Sequence, residues 1–146
     1  LALADGSVLT EGPAILLYLA DLSSQTALAP PAESWERYRL QEWLAFINSE
    51  IHAGLAPLFN ERLPETACAL FRDKIFKRFD YLESVLSNQS YLMGESFGVA
   101  DAYLYTVTGW CRFFGIALAP WPTLASYVEL IGDRPAVRAA RQAEGT

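Results

Sequence analysis

Hydrophobic and polar positions are arranged in two different ways along this chain. Over the first nine residues, two short apolar stretches, Leu1–Ala4 and Ser7–Leu9, flank Asp5-Gly6. Asp-Gly between apolar runs is a strong signal for a two-residue hairpin turn, whose central positions both need positive φ. The pattern therefore predicts a β-hairpin with Asp5 and Gly6 at its tip. Two strands alone are barely stable in water, and no further strand pattern follows. The hairpin is expected to belong to a larger sheet whose other strands lie upstream of Leu1.

From Thr10-Glu11-Gly12-Pro13 onward the period becomes helical. Pro13 suits a first helical turn, where its missing N–H costs nothing, and the helix is expected to reach about Leu22. Residues 26–33, with Pro30-Pro31, read as a linker and as the best domain boundary. Everything beyond, residues 34–146, reads as helix. Ser34 is a candidate N-cap. Trp35, Tyr38, Trp43, Phe46, Ile47, Ile51, Leu55 and Leu58 keep one face apolar, with Pro57 closing that helix. Pro64 and Glu65 open the next, whose face is Leu70, Phe71, Ile75, Phe79, Leu82 and Leu86. After a loop over 88–97, a very apolar helix from Gly98 to about Phe113 is expected to be buried nearly all round. Two short helices, near Thr123–Ile131 and Pro135–Ala143, complete a mostly α chain.

Composition narrows the function classes. The chain has 146 residues, 52% of them hydrophobic and 19% charged, which is a globular balance that argues against disorder. Net charge is −6 with Lys and Arg scattered, so no basic stripe exists to meet nucleic-acid phosphates. No apolar run approaches the ~18–20 residues of a membrane span. Cys68 and Cys111 form no CxxC pair and no zinc spacing; both read as reduced, buried thiols of a cytoplasmic protein. No metal site is expected.

Two places carry candidate chemistry. A helix N-terminus at Glu11-Gly12-Pro13 offers unpaired N–H groups that suit a carboxylate. Gly12 allows close approach to the backbone, and Glu11 can pair with an ammonium. The plain alternative is a Glu that only complements the helix dipole. His52 is the single histidine; mid-helix beside an apolar face, such a residue is more often structural than catalytic. Glu33, Glu36 and Arg37 read as a solvated charged face.

Several segments in order resemble the cytosolic glutathione transferase family, most of all its bacterial beta class. Leu9-Thr10-Glu11-Gly12-Pro13-Ala14-Ile15 with Tyr18-Leu19-Ala20-Asp21 resembles the last strand and third helix of the family's thioredoxin-like domain. Trp43-Leu44 through Glu50-Ile51-His52 and Pro57-Leu58-Phe59 is similar to the first long helix of its helical domain. Tyr91-Leu92-Met93-Gly94 with Phe97 to Leu104 looks like its folding motif, and Arg134-Pro135-Ala136-Val137 like the start of its final helix. The resemblance implies residues 1–25 from a thioredoxin-like glutathione-binding domain, then an all-helical C-terminal domain. It implies a homodimer that transfers the thiolate of glutathione, its co-substrate, to small hydrophobic electrophiles in detoxification, or exchanges thiol and disulfide. It assigns Glu11, Gly12 and His52 to glutathione, and Leu55, Phe59, Tyr103 and Trp110 to the electrophile pocket.

Three departures accompany the resemblance. The family's usual Ser or Thr helix cap is Gly98 here, with Asp101 kept three residues on, so one of two reciprocal capping bonds is expected to be missing. Polar positions that relatives direct to glutathione are Ala45 and Ala53. No residue matches the thiol-activating Cys, Ser or Tyr, which is expected upstream; catalysis by this chain alone is not expected. A non-catalytic adaptor on the same fold is the alternative.

Overall fold

The computed structural model describes residues 1–23 and 28–145. The first two linker positions, 26 and 27, the last two residues of the expected N-terminal segment, 24 and 25, and the last residue of the expected helical domain, 146, lie outside the described residues.

Leu1–Leu9 does form a hairpin, but with a different turn. Ala2 bridges Val8, and the Leu3 and Leu9 N–H groups donate to Ser7 and Leu1 carbonyls at 2.9 Å each. Gly6 N–H donates to Leu3 O at 3.0 Å, so Ala4 and Asp5 form the centre of the turn and Gly6, at φ 85°, follows it. This is a three-residue loop with a glycine bulge. Only Gly6 needs positive φ. Asp5 acts through its side chain instead: Oδ1 accepts Ser7 N–H and Oγ–H at 2.9 and 2.7 Å.

Ten helical segments follow among the described residues, seven of them α-helices. Helix α1 is Gly12–Leu22, with Pro13 in its first turn. Helix α2, Trp35–Phe46, is capped by Ser34, whose hydroxyl accepts Arg37 N–H at 3.1 Å. The same rod continues as a π-helical turn, Ile47–His52, a short α3, Ala53–Leu55, and a 3₁₀ turn, Ala56–Phe59. The rod thus runs two residues past Pro57, which sits in the first turn of the 3₁₀ segment, where a missing N–H is tolerated. Helices α4, Glu65–Leu86, and α5, Val99–Thr108, come next; α5 extends as a 3₁₀ segment, Gly109–Phe114. Helices α6, Pro122–Gly132, and α7, Pro135–Glu144, end the chain.

Helix α5 is central, packed by α1, α2, the π turn and α6. Its Val99, Ala100, Asp101, Tyr103, Leu104, Val107 and Thr108 are buried. Around it, Leu40, Ile47, Ile51, Ile75, Phe79 and Leu124 are fully enclosed, each stabilising the fold by about 1.5–3 kcal/mol.

Three expected core positions are exposed, and a fourth, Phe71, is half-buried outside the core cluster. Trp35, Tyr38 and Leu70 are 72%, 57% and 71% exposed. On α4 the buried stripe is Ile75, Phe79, Leu82 and Leu86; Leu70 lies five residues before Ile75, off that 3.6-residue row. At the start of α2 the inward residues are Arg37 and Leu40. Arg37 therefore belongs to no solvated face. Its Nε–H donates to Pro30 O at 2.8 Å, and its guanidinium pairs with Asp21 of α1. A polar clip, invisible to a search for apolar periodicity, sets which side of α2 faces in. Glu33 and Glu36 are exposed as expected.

Candidate functional site

The π turn holds the first part of the site. Ala53 N–H bonds Asn48 O, five residues back, a geometry frequent at functional sites. Asn48 and His52, four residues apart, share one side of the rod and reach α5. Tyr103 O–H donates to Asn48 Oδ1 at 2.8 Å, and the Tyr103 hydroxyl oxygen lies 2.7 Å from His52 Nδ1. Trp110 stands edge-on to His52, with ring centres 4.7 Å apart. Phe59 packs on Trp110 and Phe114 at 5.3 and 4.6 Å.

The start of α1 supplies the second part. A Cβ on Gly12 would lie 3.9 Å from the Tyr103 hydroxyl and Cζ, so α1 begins against the same tyrosine. Glu11 takes φ 68° and ψ 118° and makes no side-chain cap bond. Positive φ is costly for a residue with a Cβ, and its side chain leaves the helix N–H groups open. Burial, then the Glu11 charge, push the Tyr103 phenol above its ordinary range. Tyr103 is therefore a neutral donor at physiological pH.

Glu11, Gly12, His52, Tyr103, Trp110 and Phe59 thus form one continuous edge. Leu55 does not join it: it is 0% exposed, in the row of Ile47 and Ile51 that packs toward α4. Tyr103, 8% exposed, serves as a hydrogen-bonded post and not as apolar lining. Phe59 is 49% exposed. Trp110 also borders a groove of about 580 Å³ shared with Cys111, Phe113, Ile116 and Leu118. Sequence reasoning missed Asn48; the available signal was a polar residue one helical turn before the only histidine. Ala45 and Ala53 are exposed and carry no polar group.

Neither cysteine is placed to act as a nucleophile. Burial pushes the Cys111 thiol up to about 12, and only thiolates attack. Cys68, half-buried and not fully buried as expected, sits on α4 with Sγ 4.0 Å from Leu63 O. Among the described residues no three His, Cys, Asp or Glu groups converge for a metal.

Gly98 and Asp101 lie away from this edge, at the buried start of α5. Asp101 Oδ2 accepts Gly98 N–H at 2.8 Å, and Oδ1 accepts Leu92 N–H and Tyr127 O–H, each at 2.8 Å. Gly98 returns no side-chain bond. Burial pushes the Asp101 carboxyl above its ordinary range despite these donors.

Comparison with known proteins places the chain. A family model described as glutathione S-transferase, C-terminal domain, matches residues 46–135. Glutathione S-transferase GstA of Escherichia coli O157:H7 is 37% identical over 145 residues, which are 99% of this chain and 72% of GstA. A sphingomonad glutathione S-transferase solved with glutathione is 41% identical, with TM-score 0.94 over 99% of this chain and 72% of its own. The beta-class glutathione S-transferase of Sphingomonas chungbukensis is 39% identical at TM-score 0.94, with the same coverage of both chains.

Proposed function

The chain belongs to the glutathione S-transferase family, and we propose that it supplies half of a glutathione site and one wall of an electrophile site. The observation that carries this reading is the convergence of Glu11, Gly12, Tyr103, His52 and Asn48 on one edge. The γ-glutamyl end of glutathione bears a carboxylate and an ammonium on one carbon. The α1 N-terminus suits the first, and the Glu11 carboxylate suits the second. His52 faces the remainder of the tripeptide, and Phe59, Trp110 and Phe113 offer apolar surface to the second substrate.

The reaction is attack of the glutathione thiolate on a small electrophile, forming a carbon–sulfur bond, or on a disulfide, releasing a thiolate. It needs a donor that stabilises the thiolate. We assign that donor to a part of the intact protein other than these residues, since neither cysteine is at the edge and the Tyr103 hydroxyl hydrogen is already given to Asn48. This chain alone is then inactive. The domain plan follows: 1–25 from a thioredoxin-like unit, a linker over 26–33, and a helical domain over 34–146. Exposed Trp35, Tyr38, Leu70 and Tyr81 on α2 and α4 support a homodimer built on those helices. No described helix is long and apolar enough to cross a membrane, and two free thiols support a reducing cytoplasm.

Exposed Ala45 and Ala53 favour a second reading, a non-catalytic adaptor that keeps the fold. Product formation from glutathione and an activated aryl halide, followed with the intact protein by chromatography, separates the two. Thioether formed above the uncatalysed rate is expected. Its absence, with glutathione failing to bind, would leave the adaptor.

A further inference from the structure

The Tyr103 hydroxyl has one hydrogen and two close partners. With Asn48 oriented as it is, the amide oxygen Oδ1 faces the hydroxyl at 2.8 Å and can only accept. That contact takes the hydroxyl hydrogen. The phenol oxygen then has only lone pairs to offer His52 Nδ1 at 2.7 Å, so Nδ1 carries a hydrogen and donates it. In a neutral imidazole the other nitrogen, Nε2, must be bare. Nε2 has no hydrogen-bond partner among the described residues, and the ring is held by Tyr103 and by Trp110 at 4.7 Å.

We propose that Tyr103 and Asn48 are positioning residues that hold neutral His52 in its Nδ1–H form, so that Nε2 meets the bound ligand as a hydrogen-bond acceptor. The ligand group that fits is a donor: a peptide N–H or the thiol S–H of a γ-glutamyl-cysteinyl peptide. This part rests on the function proposed above; the tautomer itself does not. The chain runs Asn48 to Tyr103 to His52 in one direction, with every hydrogen assigned by the amide at its end. Removing that amide frees the phenol hydrogen. Tyr103 would then donate to Nδ1, and the imidazole hydrogen would move to Nε2. His52 would turn from an acceptor into a donor without losing its neighbour.

The test is long-range proton–nitrogen correlation on the intact protein carrying ¹⁵N-histidine, at a pH where the ring is neutral. His52→Gln identifies the signal by its loss. The wild type is expected to show a protonated Nδ1 and a bare Nε2. Asn48→Ala, at a partly exposed site, is expected to reverse the pattern, and Tyr103→Phe to abolish the preference for Nδ1–H. Glutathione affinity measured by calorimetry on the same proteins is expected to fall roughly tenfold in Asn48→Ala, the loss of one hydrogen bond. A wild-type ring protonated on Nε2, or a pattern indifferent to Asn48→Ala, overturns the proposal. An Nδ1–H wild type that fails to bind glutathione keeps the positioning role and overturns the ligand assignment.

Discussion

Replacing Asp101 is the most severe test of the helical core. The residue is 0% exposed and accepts three hydrogen bonds at 2.8 Å, from Leu92 N–H, Gly98 N–H and Tyr127 O–H. These join the 88–97 loop, the start of α5 and α6. Asp101→Ala leaves three buried donors without an acceptor. Each unsatisfied group costs about 1–3 kcal/mol, so the loss is about 3–9 kcal/mol. A whole domain is stable by about 5–15 kcal/mol, so this variant should be unfolded or barely folded at 25 °C. Asp101→Asn separates hydrogen bonding from shape. Its oxygen keeps Leu92 and Tyr127, while its amide is turned against Gly98 N–H. One donor is lost, and the cost of a buried charge is relieved; the net is about 1–3 kcal/mol of destabilisation. Urea unfolding followed by tryptophan fluorescence reads both values. Asp101→Ala within about 1 kcal/mol of wild type would refute this accounting of α5.

Other outcomes follow from single contacts. Gly98 sits at φ −136°, open to any L residue, so Gly98→Ser should restore the missing cap bond and raise stability by a few tenths of a kcal/mol; differential scanning calorimetry should show a small upward shift in Tm. A Cβ on Gly54 would lie 2.5 Å from Ile75 Cδ1 in the closed α3–α4 contact, so Gly54→Ala should cost about 1–3 kcal/mol. Adding Ile75→Val, which deletes that atom, should recover part of the loss, measured as a double-mutant cycle. Burial pushes the Glu83 carboxyl up, but bonds from Leu124 and Thr123 N–H outweigh it and hold the pKa below 4.5; the Arg78 hydrogen bond does the same for Glu50, against burial. Folded values lie below unfolded ones, so this stability is present above pH 4.5 and lost as pH falls through the folded pKa. Glu83→Gln should flatten the acid limb of a stability–pH profile.

How much was legible beforehand depended on the kind of signal. Helix starts were readable because Ser34, Pro13 and Pro64 act locally, on their own turn. The stripe of α4 was readable from Ile75 onward, where apolar burial sets the side. At the start of α2 the pattern misled, because Arg37 turns inward to reach Asp21 and Pro30, partners 16 and 7 residues away. Asp5 was misplaced because two turn types share Asp-Gly and differ only in register. Glu11 and Gly12 are candidates from local chemistry as well as from the resemblance, whereas His52 enters the site through the resemblance alone. Their meeting at Tyr103, 51 residues beyond His52, is a tertiary fact that no local pattern encodes. Asn48 escaped for the same reason, since its importance lies entirely in the tyrosine it bonds.

The central claim is that the α1 start and the His52–Tyr103 pair hold one glutathione molecule. Calorimetric titration of the intact protein with glutathione, repeated for Glu11→Gln and His52→Ala, tests it most directly. The account predicts a saturable wild-type site, weakened roughly tenfold or more in each variant, the loss of a charged hydrogen bond at Glu11 and of a ring contact at His52. Wild-type affinity retained in both variants would contradict it, because the ligand would then be held by neither residue.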